Sequence, residues 1–228
     1  MSALTIDVRA SAFAELVKPI IPLASPDGML PILNAVKVET RGEYMTATAT
    51  DRFRVGISRI KPDGPTPAGF NALIRLSELR QMLTIFKATK NNDPILTLTL
   101  EITDDHTSRL RVTQSGGFNF IDASMTFGLM TGDYPRTAPL FTSFAKNTSE
   151  PAALVGMNAA YLADFRHALR NRSDTLVIHA ANANKPTIVT VHDYFIGAIM
   201  PVSVNADDSN ATKWVAFLTD KKTAKDAA

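Results

Sequence analysis

The sequence predicts an α+β fold: strand–helix–three-strand repeats with amphipathic helices on one face and antiparallel sheets on the other. Three observations predict it. The same plan, one strand, one helix and three strands, begins near residues 4, 70 and 152. Each repeat holds one apolar stripe at i, i+3, i+4 and i+7, the spacing of one helix face. The remaining segments alternate apolar and polar residues with period two, as half-buried strands do. A helix of this kind buries its stripe against a sheet and leaves its polar side free. The repeat is one of plan and not of residues.

In the first unit, residues 4–8 (LTIDV) predict a short strand and Ser11 a helix cap. Phe13, Leu16, Val17 and Ile20 form the stripe, and Pro19 and Pro22 end the helix early. Strands are predicted over 33–40, 43–50 and 53–60. The last two form a hairpin in which Met45, Ala47 and Ala49 alternate with Thr46, Thr48 and Thr50. Asp51 sits where the chain reverses, because Asp bonds nearby backbone N–H groups in turns. The second unit follows the loop KPDGPTPAG at 61–69. It has a strand over 70–76, Ser77 as cap, and the stripe Leu79, Met82, Leu83 and Phe86. Strands over 95–103, 108–114 and 118–126 complete it. The pattern breaks over 131–149. The third unit predicts a strand over 152–157, Asn158 as cap, and the stripe Tyr161, Leu162, Phe165 and Leu169. Strands over 174–180, 186–192 and 194–200 follow. The domain reading is therefore a complete two-unit domain over 1–135, a linker over 136–150, a half-domain over 151–205 and a polar tail over 206–228.

Composition narrows the class. The chain has 228 residues, 45% apolar and 20% charged, enough to bury a sizeable core. It has no cysteine, which excludes disulfides and thiolate metal sites. No apolar run reaches the roughly 20 residues of a membrane helix, and the N-terminus lacks a signal-peptide layout, so a cytosolic location is expected. A net charge of +2 excludes binding nucleic acid by bulk attraction, so any contact with DNA needs cations gathered on one face.

No catalytic constellation stands out, and no cofactor is expected. His106, His167, His179 and His192 are scattered without metal-ligand spacing. Gly116 and Gly117 fit a hairpin turn and not a phosphate loop. Asp104 and Asp105 fit a solvated turn. Trp214 and Phe217 give the tail one apolar burst that fits either a partner-binding stub or a segment packed on the body.

The order of motifs resembles the bacterial DNA polymerase III beta subunit, the sliding clamp family, in a shortened and phage-like version. The resemblance rests on the TDxxR-type hairpin Thr50, Asp51, Arg52, Phe53 and Arg54, the strand–helix step LIRLSELRQML, GDYP at 132–135 and IMPV at 199–202. It covers residues 1–205. Two features depart from the family. Arg52 stands where a small residue is usual, and three half-domain units stand where the family has three domains.

The resemblance implies a sliding-clamp-like processivity factor, not an enzyme, that tethers a DNA polymerase to duplex DNA. It implies a slot for a short peptide of the polymerase or clamp loader. One wall would be Thr50, Arg52, Phe53, Arg54 and Val55, and the other Ile199, Met200, Pro201 and Val202. It implies DNA-facing helices carrying Lys18, Arg80, Lys87, Lys90, Arg166, His167, Arg170 and Arg172, touching phosphates without reading sequence. It also implies a homo-oligomer in the cytoplasm of a bacterial or phage-infected cell. The alternative reading is a clamp-like peptide-binding module or decoy that captures clamp-binding motifs without encircling DNA.

Overall fold

The periodic segments form their elements in the expected order, except that residues 154–157 of the strand expected over 152–157 form only an isolated bridge from Gly156 to Val202. A computed structural model describes residues 2–102, 107–115, 123–145, 154–179, 185–204 and 215. Strand β1 (Ser2–Arg9) leads into helix α1 (Ala10–Val17), followed by β2 (Ala35–Arg41), β3 (Tyr44–Thr50) and β4 (Arg54–Ile60). Strand β5 (Asn71–Arg75) leads into α2 (Leu76–Ile85), followed by β6 (Ile95–Ile102), β7 (Ser108–Gln114) and β8 (Ala123–Gly128). A short helix α3 (Ala138–Ala145) comes next. Then α4 (Ala159–Asp164) runs into a 3-10 turn (Phe165–Ala168), followed by β9 (Leu176–His179), β10 (Thr187–Val191) and β11 (Phe195–Ile199).

Two helix starts differ from expectation. Ser11 and Ser77 do not cap α1 and α2. Strand passes directly into helix, with extended Arg9 and Arg75 at the cap positions. The exposed N–H groups of α1 are met from the far end of the second unit: Asp93 accepts from the Ser11 N–H at 2.8 Å and from the Ser11 hydroxyl. Asn158 does cap α4, accepting from the N–H of Ala160 and Tyr161 at 2.9 and 3.2 Å. That helix is short, and of its stripe only Phe165 is fully buried. Asp104, Asp105, His106, Gly116, Gly117, residues 118–122 of the expected strand, Trp214 and Phe217 lie outside the described residues.

All pairings are antiparallel and build two sheets, β1-β6-β7-β8 and β5-β2-β3-β4-β11-β10-β9. The first strand of each of the first two units joins the other unit's sheet, β1 on β6 and β5 on β2. The strands of the third unit continue the sheet of the first, through β11 on β4. The sequence pattern could not show this, because periodicity tells which side of a strand is buried and not which strand lies beside it.

One core fills the space between helices and sheets. Phe13, Leu16 and Val17 of α1 and Leu79 and Met82 of α2 are buried in it with Phe165, each large side chain contributing about 2 kcal/mol. Thr46, Thr48 and Thr50 were expected on an open face and are buried instead. Strand β3 is central in a seven-stranded sheet, and two of these hydroxyls donate to backbone carbonyls, Thr46 to Glu39 and Thr50 to Arg54. Gly56 of β4 and Gly197 of β11 are direct partners. A Cβ on Gly56 would collide with Leu23, and one on Gly197 with the Phe165 ring, so the paired glycines let Leu23 of the first unit and the 3-10 turn of the third seat on the shared sheet. Within the segment read as linker, α3 lies on the opposite face, where Leu140 and Phe141 pack on Val55, Ile188 and Ala198.

Candidate functional site

The turn between β3 and β4 is shaped by two side chains. Asp51 accepts from the N–H of Phe53 and Arg54 at 3.0 and 2.9 Å. The Thr50 hydroxyl accepts from the Arg52 N–H at 3.2 Å and donates to the Arg54 carbonyl at 2.7 Å. Together they hold Arg52 at φ 81°, in the left-handed region that a side chain disfavours. The departure at Arg52 is therefore accommodated by the same turn. Phe53 is left half exposed, and its carbonyl accepts from the Met200 N–H at 2.8 Å.

This bond, together with the β4–β11 ladder, places the hairpin directly beside the Met-Pro segment. Between them opens a pocket of about 180 Å3. Thr50, Arg52, Phe53, Arg54 and Val55 form one side, and Ala198 and Met200 continue it. Ile199 is fully buried on the other face of β11, because neighbouring residues of a strand point to opposite faces. Pro201 and Val202 pass beyond the strand end and do not line the pocket, and Val202 is instead tied to Gly156. The far wall was missed in the sequence: Pro135, Arg136, Thr137, Leu140 and Pro186. A usable signal was Pro139 near the start of the apolar run APLFTSFA, a favoured place for proline in a first helical turn. Tyr134 of GDYP is packed against this corner: burial pushes its phenol well above the ordinary value, and the Thr50 backbone partly offsets that. Apolar walls edged by Arg52 and Arg136 suit a short segment with large apolar side chains and a negative charge beside them.

Arg54 joins the pocket to the helices. Its guanidinium turns to the opposite face of the sheet and is 7% exposed. There it meets Asp51 at 2.9 Å and Asp164 at 2.5 Å, and donates to the Pro22 carbonyl at 2.8 Å. It also lies 4.3 Å from the Tyr161 ring centre, and Tyr161 in turn faces Phe53 at 6.0 Å.

On the helix side a groove of about 410 Å3 runs between α1, the end of α2 and the turn after α4. Lys18, Lys87, His167 and Arg170 line it, with Glu15. Arg80, Lys90, Arg166 and Arg172 are exposed but lie outside the groove lining. Arg170 is committed elsewhere: it pairs with Glu15 at 3.2 Å, donates to the Arg59 carbonyl and stacks 3.8 Å above Tyr194. Among the described residues no group of three His, Asp or Glu side chains is placed to hold a metal ion.

Beside this groove Asp174 accepts from the N–H groups of Asn171 and Arg170 at 2.9 and 2.8 Å and from the Tyr194 hydroxyl at 2.7 Å. The Asn171 backbone bond, followed by the Tyr194 hydroxyl, holds its carboxyl well below the usual carboxylate range. Burial and Asp174 together push Tyr194 up to about 12. The unfolded chain takes up the Asp174 proton more readily than the folded one. The stability it contributes is therefore present at neutral pH and lost as pH falls below about 4. Asp174→Asn is expected to lower the urea midpoint at pH 7 and to flatten its decline in acid. An unchanged acid slope would show that this carboxylate does not govern it.

The described geometry defines a class, a clamp-like fold, with α1, α2 and α4 along one side of the sheets and an apolar slot, walled by α3, on the other. Solved structures agree. The DNA polymerase sliding clamp of Bacillus subtilis superposes with a TM-score of 0.66 at 15% identity, over 89% of this chain and 65% of that one. The DNA polymerase III beta subunit of Thermotoga maritima gives 0.65 at 15% identity, over 90% and 67%. Likeness at such identity speaks for the fold. In sequence the chain is similar to proteins named beta sliding clamp: it is 33% identical to that of Micrococcus luteus over 167 residues, 72% of this chain and 50% of that protein. It is 26% identical to that of Streptomyces coelicolor over 142 residues, 59% of this chain and 33% of that protein. The chain thus matches half or less of the length of these relatives. No family model matches it.

Proposed function

We propose that the chain is a sliding-clamp-like processivity factor. It grips a short peptide of a DNA polymerase or clamp loader in the pocket and holds duplex DNA loosely along its helix side. It catalyses no reaction and acts in the cytoplasm. The observation that carries the reading is the pocket itself, where the hairpin and Met200 close on the apolar helix α3. The kinship to proteins named beta sliding clamp supports it, as does the gathering of Lys18, Lys87 and His167 along one open groove. No described helix is long and apolar enough to cross a membrane.

The test has two arms. Labelled short peptides carrying two large apolar residues are titrated against the full chain by fluorescence anisotropy, and saturable binding is expected. Retention is then compared on closed circular and linear duplex DNA. A tether is held longer on circles, and its affinity falls steeply with salt. Lys18→Glu with Lys87→Glu is expected to shrink the slope of log affinity against log salt by about one per lost phosphate contact. Salt-independent retention removes the groove from the reading.

One observation favours the alternative, a peptide-binding module or decoy. The pocket is complete within one chain, while Arg170, one of the groove's cations, is drawn to Glu15 and Tyr194. Saturable peptide binding without any preference for circular DNA selects that reading.

A further inference from the structure

Two guanidinium groups border the slot without an anion of their own. Arg52 edges the near wall and Arg136 the far wall. Among the described residues no carboxylate lies within ion-pair distance of either. Arg54, the third arginine of the slot, shows the contrast, since its guanidinium turns to the other face and is held by Asp51 and Asp164. The Asp51 carboxylate, next to Arg52 in the chain, is taken up by the Phe53 N–H, the Arg54 N–H and the Arg54 guanidinium. Asp133 lines a polar cavity of about 300 Å3 beyond Arg136 and forms no ion pair with it.

The backbone singles out Arg52. Glycine takes a φ of 81° freely, and a residue with a side chain does not. An arginine kept there against its own preference, at the lip of a slot, points to a use for the side chain. Its guanidinium lies 6.0 Å from the ring centre of half-exposed Phe53, so the charge stays at the mouth. Arg136 lines both the slot and the polar cavity, where Lys37, Asn71 and Ser108 are its neighbours. A carboxylate beside Arg136 therefore keeps polar company and loses little hydration, which is the condition for an ion pair to be favourable. The apolar walls select by size, and the two unpaired cations at the rim select by sign.

We infer that the slot takes acidic segments, in which an aspartate or glutamate stands directly beside the large apolar anchors and is gripped by Arg52 or Arg136. The inference rests on the peptide slot of the proposed function and names the class of segment that it accepts. A segment with lysine beside the anchors is refused, because it meets an unpaired guanidinium. Replacing the acid by its amide weakens binding about fivefold, the upper range for an ion pair open to solvent.

The experiment uses the full chain and short labelled peptides with amidated ends, so that side chains carry the only carboxylates. One apolar pair is flanked by Asp, Asn or Lys, and affinities are read by fluorescence anisotropy. At low salt the Asp version is expected to bind about fivefold tighter than the Asn version, and the Lys version weakest of all. The gap between Asp and Asn should narrow at about 0.5 M salt, where exposed charges are screened. In Arg52→Gly with Arg136→Gln the Asp and Asn versions should bind alike. Glycine suits the backbone at position 52, so an undiminished melting temperature for Arg52→Gly confirms that the turn is intact. Equal affinity for Asp and Asn in the natural chain overturns the inference and leaves the slot reading standing. A gap that survives the double variant overturns it too, by placing the cation elsewhere. So does tighter binding of a peptide whose free C-terminus directly follows the apolar pair, which would assign the charge to a chain end. Binding by no peptide at all removes the slot reading, and this inference with it.

Discussion

Arg54→Ala is expected to lower the melting temperature by roughly 10 °C, the largest effect of any single side chain outside the apolar core. The residue is 7% exposed and holds two carboxylates and a backbone carbonyl at once. Its removal leaves Asp51 buried beside no cation, and truncating one partner of a buried pair costs about 3–5 kcal/mol. For a chain of this size each kcal/mol shifts the midpoint by roughly 2–4 °C. Arg54→Lys should recover little, since one ammonium on a flexible stem cannot reach Asp51, Asp164 and Pro22 together. A calorimetric midpoint within a few degrees of the natural chain's would mean that the network is decorative. Loss of the tie to Tyr161 and Asp164 also frees α4, so amide exchange should accelerate at residues 159–164 before it does in α1.

The second large effect concerns the pocket. Met200→Ala and Leu140→Ala, on facing walls, are each expected to weaken binding of the apolar peptides about tenfold or more, as truncated anchor sites do. Neither residue is fully buried, so melting temperatures should barely move. Pro201→Ala and Val202→Ala are the contrast. They belong to the same sequence motif but do not line the pocket, and their affinities should stay near the natural value. If Pro201→Ala costs as much as Met200→Ala, the pocket boundary drawn here is wrong.

How much of this was legible in the residues depends on how local the cause is. The strands and the apolar stripes of α1 and α2 come from spacing within a dozen residues, and they lie where spacing put them. The turn at Asp51 follows from what a short carboxylate does to the next two N–H groups. The start of α1 was not legible, because its cap is Asp93, 82 residues away. Ser11 carries a capping side chain but is itself capped. Asp51 read as a turn residue and Arg54 as one wall of the slot. What makes them a hub is Asp164, 110 residues on. The near wall of the pocket was visible only through family resemblance. The far wall escaped because α3 is eight residues long, too short for a stripe to declare itself against the background of a broken pattern.

The pocket straddles the seam where β11 is laid against β4. The first unit alone would have the hairpin and no Met-Pro segment to set against it. An isolated third unit would have Met200 and no hairpin to set against it. The slot is thus a property of the join between the first and third units, and neither unit alone could provide it.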